Sequence, residues 1–279
     1  KNNKQTISKA ITILSKLTNG SINISLRKES DSFLRGLSDV VIHNVSGPHP
    51  SGNLSTIINK VSPISKGDVI WTLNLPDLSI IGKALLEGKF SAERIIALVG
   101  SSVSNPKYIK TLIGSNISSF IKLKENNSRI ISGNVLTGVK LESSAHVRYY
   151  SNEITAIPEG NDYDLFGWAK PMFDKFSVSR ALTFSWLFPN KKYDLNTNTN
   201  GEHRAFVVTG SFEEVFPLDI YPMQILKACM YKDLDEMEAL GMYEVSPEDF
   251  ALTEFICVSK QPHQNIIREG LDLMKKEIG

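Results

Sequence analysis

The chain is poor in cysteine: only Cys229 and Cys257 occur among 279 residues, and neither sits in a CxxC pair or has a histidine at metal-ligand spacing. A disulfide framework is excluded, and a reduced, cytoplasmic setting is expected. Charge of one sign is also missing, with 31 Lys plus Arg against 30 Asp plus Glu, so nucleic acid is not an expected partner. No apolar run approaches the roughly 20 residues that span a bilayer. Neither G-x-G-x-x-G nor G-x-x-x-x-G-K-[ST] occurs, so the turns that bring backbone amides onto nucleotide phosphates are absent. Hydrophobic residues make up 41%, enough for the cores of about two domains. The start at Lys1-Asn2-Asn3, without Met or a signal-like segment, reads as that of a fragment. The sequons at Asn23, Asn44, Asn53, Asn116 and Asn126 read as chance products of an Asn- and Ser-rich chain.

The most restricted stretch is Gly47-Pro48-His49-Pro50-Ser51-Gly52, directly after the apolar run Val40 to Val45. Two prolines fix φ and remove two donors, while the flanking glycines permit dihedrals that other residues avoid. A rigid loop at a strand end is a common docking place for a ligand or partner, and this one carries an imidazole. These six residues form the candidate site for a ligand or a partner. The plain reading of His49, a loop residue in a turn built by Pro and Gly, weighs more, because no Asp, Glu or Cys stands near it in sequence to orient the ring.

Spacing along the chain predicts a layered α/β region over residues 1–92. A helix carries Ile7, Ile11, Leu14 and Thr18 on one face with Gly20 as its cap, and strands follow at 22–26 and 40–45, the latter of the kind buried on both faces. A strand is expected at Val69 to Leu73 with Trp71 in the core, then a helix opened by Pro76 and stopped by Gly88, carrying Leu78, Ile81 and Leu85 on one face. Over 93–167 the pattern changes to strands at 95–99 and 108–113, a short helical piece at 117–121 and strands at 129–132 and 154–157, the order of a small β-grasp module. Residues 168–279 begin aromatic-rich and end in helices. There, Ile225, Leu226 and Cys229 share a face, Asp233 caps a helix that stops at Gly241, and Ser246-Pro247-Glu248-Asp249 is an S-x-x-D capping box. A last helix is striped by Ile267, Leu271, Met274 and Ile278.

Several segments resemble a known family in order and spacing: Gly47 to Pro50 with Gly52; Arg94 to Gly100 with Asn105-Pro106; Arg129 to Gly133 with Val135-Leu136; Phe166-Gly167-Trp168; Lys175 to Val178; Arg204 with the run to Gly210; Pro217 to Ile220; and Glu248 to Leu252. On these residues the chain resembles the A-subunit family of the sodium-translocating NADH:quinone reductases (Nqr). The resemblance implies the C-terminal portion of such a protein: the C-terminal part of a Rossmann-like α/β domain over 1–92, an SLBB-type β-grasp domain over 93–167 and a mainly helical domain over 168–279. It implies a peripheral position on the cytoplasmic face of the bacterial inner membrane, within an NADH:ubiquinone reductase (Na+-transporting), without catalysis by the fragment itself. The partners it implies are the other Nqr subunits, above all the membrane B subunit, and also the C subunit.

Related proteins on the same fold carry flavin or an iron-sulfur cluster. Here the equivalent segment, Glu254 to Ser259, retains one thiol, and a lone Cys257 cannot hold a cluster. A cofactor-free scaffold that docks the membrane subunits is therefore expected, with NADH, flavins, iron-sulfur and quinone handled elsewhere in the complex. The alternative is a direct contribution to the ubiquinone or menaquinone site, through His49 and the amides of Ser51 and Gly52 walled by Trp71. A free-standing hydrolase is disfavoured, since the histidines at 43, 49, 146, 203 and 263 show no catalytic spacing. The aromatic groups at 166–168, 184–188 and 212–216 read chiefly as core, Asp162, Asp164, Glu213 and Glu214 as solvated charge, and Arg204 as the start of a strand over 205–208, paired with Asp219 or with a partner's carboxylate.

Overall fold

The apolar spacing near the N-terminus folds as α1 (Asn2–Leu14), which buries Ile7, Ala10 and Ile11. The helix stops four residues short of the expected Thr18. Lys16 and Leu17 donate to the carbonyls three residues back, and the Ser15 hydroxyl donates to the Thr12 carbonyl, so the end tightens before Gly20 is reached. A computed structural model describes residues 2–29, 32–142, 144–160, 164–167, 170, 175–180 and 185–278. The chain divides into two compact units: Lys1–Ala92 with Val215–Phe250 and Gln264–Gly279, and Glu93–Glu214 with Ala251–His263.

In the first unit β1 (Asn23–Leu26), α2 (Ser32–Arg35) and β2 (Val41–Asn44) follow α1, and the two strands pair in parallel, Asn23 opposite Val41. The inner β2 side chains are only half buried and Val41 is exposed, so the doubly covered strand expected from its β-branched run is not what this unit builds. Next come α3 (Leu54–Val61), which has no propensity signal, and α4 (Leu75–Glu87), with Pro76 in its first turn and Gly88 left-handed at its C-cap, as expected. The buried face of α4 is set by Asp77, Ile80 and Gly82 rather than by Leu85, which is exposed. Gly82 lies against α1, where an added Cβ would fall 2.0 Å from the Thr6 carbonyl oxygen. Between the helices, Val69 to Leu73 forms no strand, and Trp71 is 89% exposed instead of buried. Among the described residues, no neighbouring backbone offers this segment a ladder.

The unit is completed by α5 (Pro222–Tyr231), α6 (Leu234–Ala239) and α8 (His263–Glu277), the last of which begins at the boundary of the second unit. Ile225, Leu226 and Cys229 are buried on α5, and the Asp233 carboxylate accepts the Glu236 amide as the cap of α6. On α8 the stripe runs through Ile267, Gly270 and Met274, and Gly270 takes the place expected for Leu271 because Cys229 Sγ stands where its Cβ would be.

The second unit is built on a five-stranded mixed sheet in the order β4-β3-β7-β5-β6, from β3 (Glu93–Val99), β4 (Lys107–Leu112), β5 (Ser128–Ser132), β6 (Val139–Leu141) and β7 (Glu153–Pro158). β3 runs parallel to β7, and the other pairings are antiparallel. β6 carries no strand signal in the sequence. Ile96, Leu98, Ile130, Ile154 and Ala156 form one core with Val103, Ile117 and Val147. Arg94 is buried, donating to Asn152 Oδ1 at 3.1 Å. The α7 helix (Ala251–Ile256) ends at the buried Cys257, and residues 205–208 do not form the expected strand. That segment is tied instead by Arg204 N–H to Ser259 O, Ser259 Oγ to Ala205 O and the Gln261 amide to Arg204 O. Phe212 is buried, but Phe166, Trp186 and Phe188 are exposed rather than core. Asp162, Trp168 and Phe184 lie outside the described residues.

Candidate functional site

The Gly-Pro loop follows β2, whose His43 Nε2 meets Asn23 Oδ1 of β1 at 2.9 Å and whose outgoing residue, Val45, donates to Leu26 O. Gly47 turns the chain at φ +127, a conformation costly for any side chain, and the His49–Pro50 peptide is cis. Two turns follow in series: Ser51 N–H donates to Pro48 O at 3.0 Å and Asn53 N–H to Pro50 O at 2.8 Å. His49, Pro48 and Gly52 are exposed, while Pro50 and Ser51 are half buried.

The loop feeds α3, and the first turn of that helix is met by carboxylates of the segment 244–249, from the same unit. The N-cap residue Asn53 does not use its own side chain to cap. Glu248 Oε1 accepts the Leu54 amide at 3.2 Å, placing negative charge at the positive end of the helix dipole. Ser55 Oγ donates to Asp249 Oδ1 and Asn59 Nδ2 to Glu244 Oε2. Asp249, 1% exposed, uses its other oxygen for the Ser246 amide at 2.8 Å and the Ser246 hydroxyl at 2.9 Å, the backward bond of the expected capping box. Burial raises the Glu248 carboxyl above the usual range and the nearby Asp249 charge adds to this, while the Leu54 amide and the His49 imidazole pull the other way.

His49 therefore has the acidic neighbour that its own stretch of sequence lacks. Glu244, Glu248 and Asp249 are the members of this constellation that sequence reasoning misses, because 194 residues separate Leu54 from Glu248. Asp249 alone gives a local signal, through its capping box. Trp71 stands exposed on an extended segment with no strand partner among the described residues. Chemically the arrangement is a polar clamp on a helix start beside one exposed imidazole. No group of three or more His, Cys, Asp or Glu able to hold a metal occurs among the described residues. Cys229 packs its thiol 3.8 Å from Met242 Sδ, and burial pushes that thiol up to about 11.

The rigid loop on a parallel strand pair and the following five-stranded mixed sheet define a two-unit α/β protein. Residues 1–90 match the family model of the NqrA second alpha/beta domain, and residues 95–143 match that of the NQRA C-terminal domain, of SLBB type. Relatives that bear the name of the A subunit of Na(+)-translocating NADH-quinone reductase are similar over nearly the whole chain. The protein of Neisseria meningitidis serogroup B is 35% identical over 96% of this chain and 61% of its own length. That of Alcanivorax borkumensis is 36% identical over 99% and 62%, and that of Vibrio atlanticus 36% over 96% and 60%. The chain spans about three-fifths of the length of these relatives. It belongs to the NqrA family.

Proposed function

We propose that this chain works as part of the NqrA component of a sodium-translocating NADH:quinone reductase, as a cofactor-free scaffold on the cytoplasmic side that docks the membrane B subunit and the C subunit. The three-part division into a Rossmann-like portion at 1–92, an SLBB-type β-grasp domain at 93–167 and a C-terminal region at 168–279 belongs to the same proposal. The name carried by its relatives supports membership of the complex. The observation that carries the scaffold reading is the internal use of the candidate loop. The Ser51 amide goes to Pro48, and just past the loop the Leu54 amide goes to Glu248 and the Ser55 hydroxyl to Asp249, so one of the expected ligand donors and the start of the next helix are held to the chain itself. Two buried cysteines and no nucleotide-type glycine turn agree with it. Among the described residues no helix is long and apolar enough to cross a membrane.

One observation favours the second reading, a contribution to a quinone site. His49 is exposed on the loop that follows β2, within electrostatic reach of the Glu248 carboxylate, and an exposed imidazole can donate to a carbonyl oxygen. A quinone also needs an apolar slot and a second donor; the Gly52 amide is the remaining donor, since Ser51 has committed its own, but Trp71, the expected wall of the slot, is 89% exposed, so the residues fit the group poorly. Native purification followed by flavin and iron assay tests the scaffold reading. Neither is expected, and one flavin or one cluster per chain overturns it.

A further inference from the structure

Three consecutive large apolar side chains, Trp186, Leu187 and Phe188, are 60%, 51% and 55% exposed on one tight turn. Ser185–Leu187 form a single 3-10 turn whose first residue is buried, Phe188 N–H donates to Ser185 O at 3.3 Å, and Lys191 N–H returns to Phe188 O at 3.1 Å. The second flank is anchored by rings: Tyr193 meets Phe176 edge-on at 5.5 Å, Phe176 meets Phe255 at 5.6 Å, and Lys191 Nζ lies 5.4 Å over the Tyr193 ring. From 174 to 194 the sequence holds Lys175, Arg180, Lys191 and Lys192 against Asp174 and Asp194, a local excess of positive charge in a chain whose total net charge is only +1.

The geometry points to this turn, Ser185–Lys192, as a lipid-surface anchor that seats Trp186, Leu187 and Phe188 in the interface of an anionic bilayer, with Lys191 and Lys192 against the headgroups. An aromatic and aliphatic tip beside lysines suits that interface, because the tip sheds apolar area from water while the cations meet the negative surface potential. Local charge selects a lipid surface at this turn and not at the other exposed tryptophan. Trp71 and its apolar neighbours are flanked by Asp68 and Asp77 as well as Lys66, so no net cation accompanies them. The proposal goes beyond the scaffold reading and does not depend on it, since lipid contact is compatible with either role of the Gly-Pro loop.

The test is co-sedimentation of the purified chain with vesicles of phosphatidylcholine alone and of phosphatidylcholine with phosphatidylglycerol in equal parts. Binding to the anionic vesicles only is expected. It should fall about tenfold or more in Trp186→Ala/Phe188→Ala and in Lys191→Glu/Lys192→Glu, and stay unchanged in Trp71→Ala. In a Trp71→Phe/Trp168→Phe background, Trp186 emission should shift to the blue with anionic vesicles, which reports insertion separately from any loss of fold. Three results would overturn the anchor: no vesicle binding by the parent chain, binding unaffected by the Trp186/Phe188 pair, or binding indifferent to lipid charge. The first two would hand the exposed tip to a protein partner.

Discussion

β3 and the segment Val69 to Leu73 are both short runs rich in β-branched and aliphatic residues, yet only one is a strand. β3 has β4 on one side and β7 on the other, so its amides and carbonyls are paired and Ile96 and Leu98 reach the core at 0% and 1% exposure. Val69, Ile70, Trp71 and Leu73 find no ladder among the described residues and stay 42–89% exposed. The difference teaches that β composition marks a surface able to pair, and that the neighbouring backbone decides whether it does.

The contrast is sharpest in Ile96→Ala, which should cost about 3 kcal/mol or more by urea unfolding, because the cavity opens in a core that cannot collapse around it. Acid titration of stability probes the same unit from its polar side. His263 is fully buried between Phe206 and Phe212, with Nδ1 2.8 Å from Thr253 Oγ1, and burial lowers its pKa from 6.5 to about 4. The unfolded chain binds this proton below pH 6.5 and the folded chain does not until about pH 4. Stability is therefore lost as pH falls across that window, by up to roughly 3 kcal/mol. Glu159 extends the loss further into acid. Its bond with Arg129 lowers its carboxyl to about 2, so that contribution is present above pH 4.5 and lost as pH falls toward 2. Flat stability between pH 7 and 4.5 would contradict the His263 assignment.

Asp249→Ala comes next, at about 2 kcal/mol, since it removes a buried carboxylate and strands the half-buried Ser55 hydroxyl and Ser246 amide; chevron or equilibrium unfolding reads it directly. Trp71→Ala closes the series with less than about 0.5 kcal/mol, despite removing the largest side chain type. A loss above about 1 kcal/mol there would mean that the 69–73 segment is covered in solution and that the comparison with β3 fails.

Local signals make much of the fold readable. Pro76 and Gly88 bracket α4, Asp233 and Gly241 bracket α6, and the Ser246-Asp249 pair opens the turn before α7, each by satisfying backbone groups within four residues. α3 is not readable, because Leu-Ser-Thr-Ile-Ile-Asn-Lys-Val is weak in helix propensity and its start is held by Glu248, distant in sequence. The same distance hides the candidate site. Gly47, Pro48 and Pro50 announce a rigid loop, but whether its donors face a ligand or its own chain depends on carboxylates that no local pattern links to it. The exposed tip at Trp186 reads as core in the sequence because aromatic clustering is the same in both cases until burial is seen.

Calorimetric titration of a short-chain, water-soluble quinone into the purified chain, repeated with His49→Ala, tests the central claim most directly. A loop whose Ser51 amide is tied to its own chain, and whose following helix start is clamped by Glu248 and Asp249, predicts no saturable heat with either protein. Saturable one-to-one binding to the parent chain that disappears in His49→Ala would contradict it.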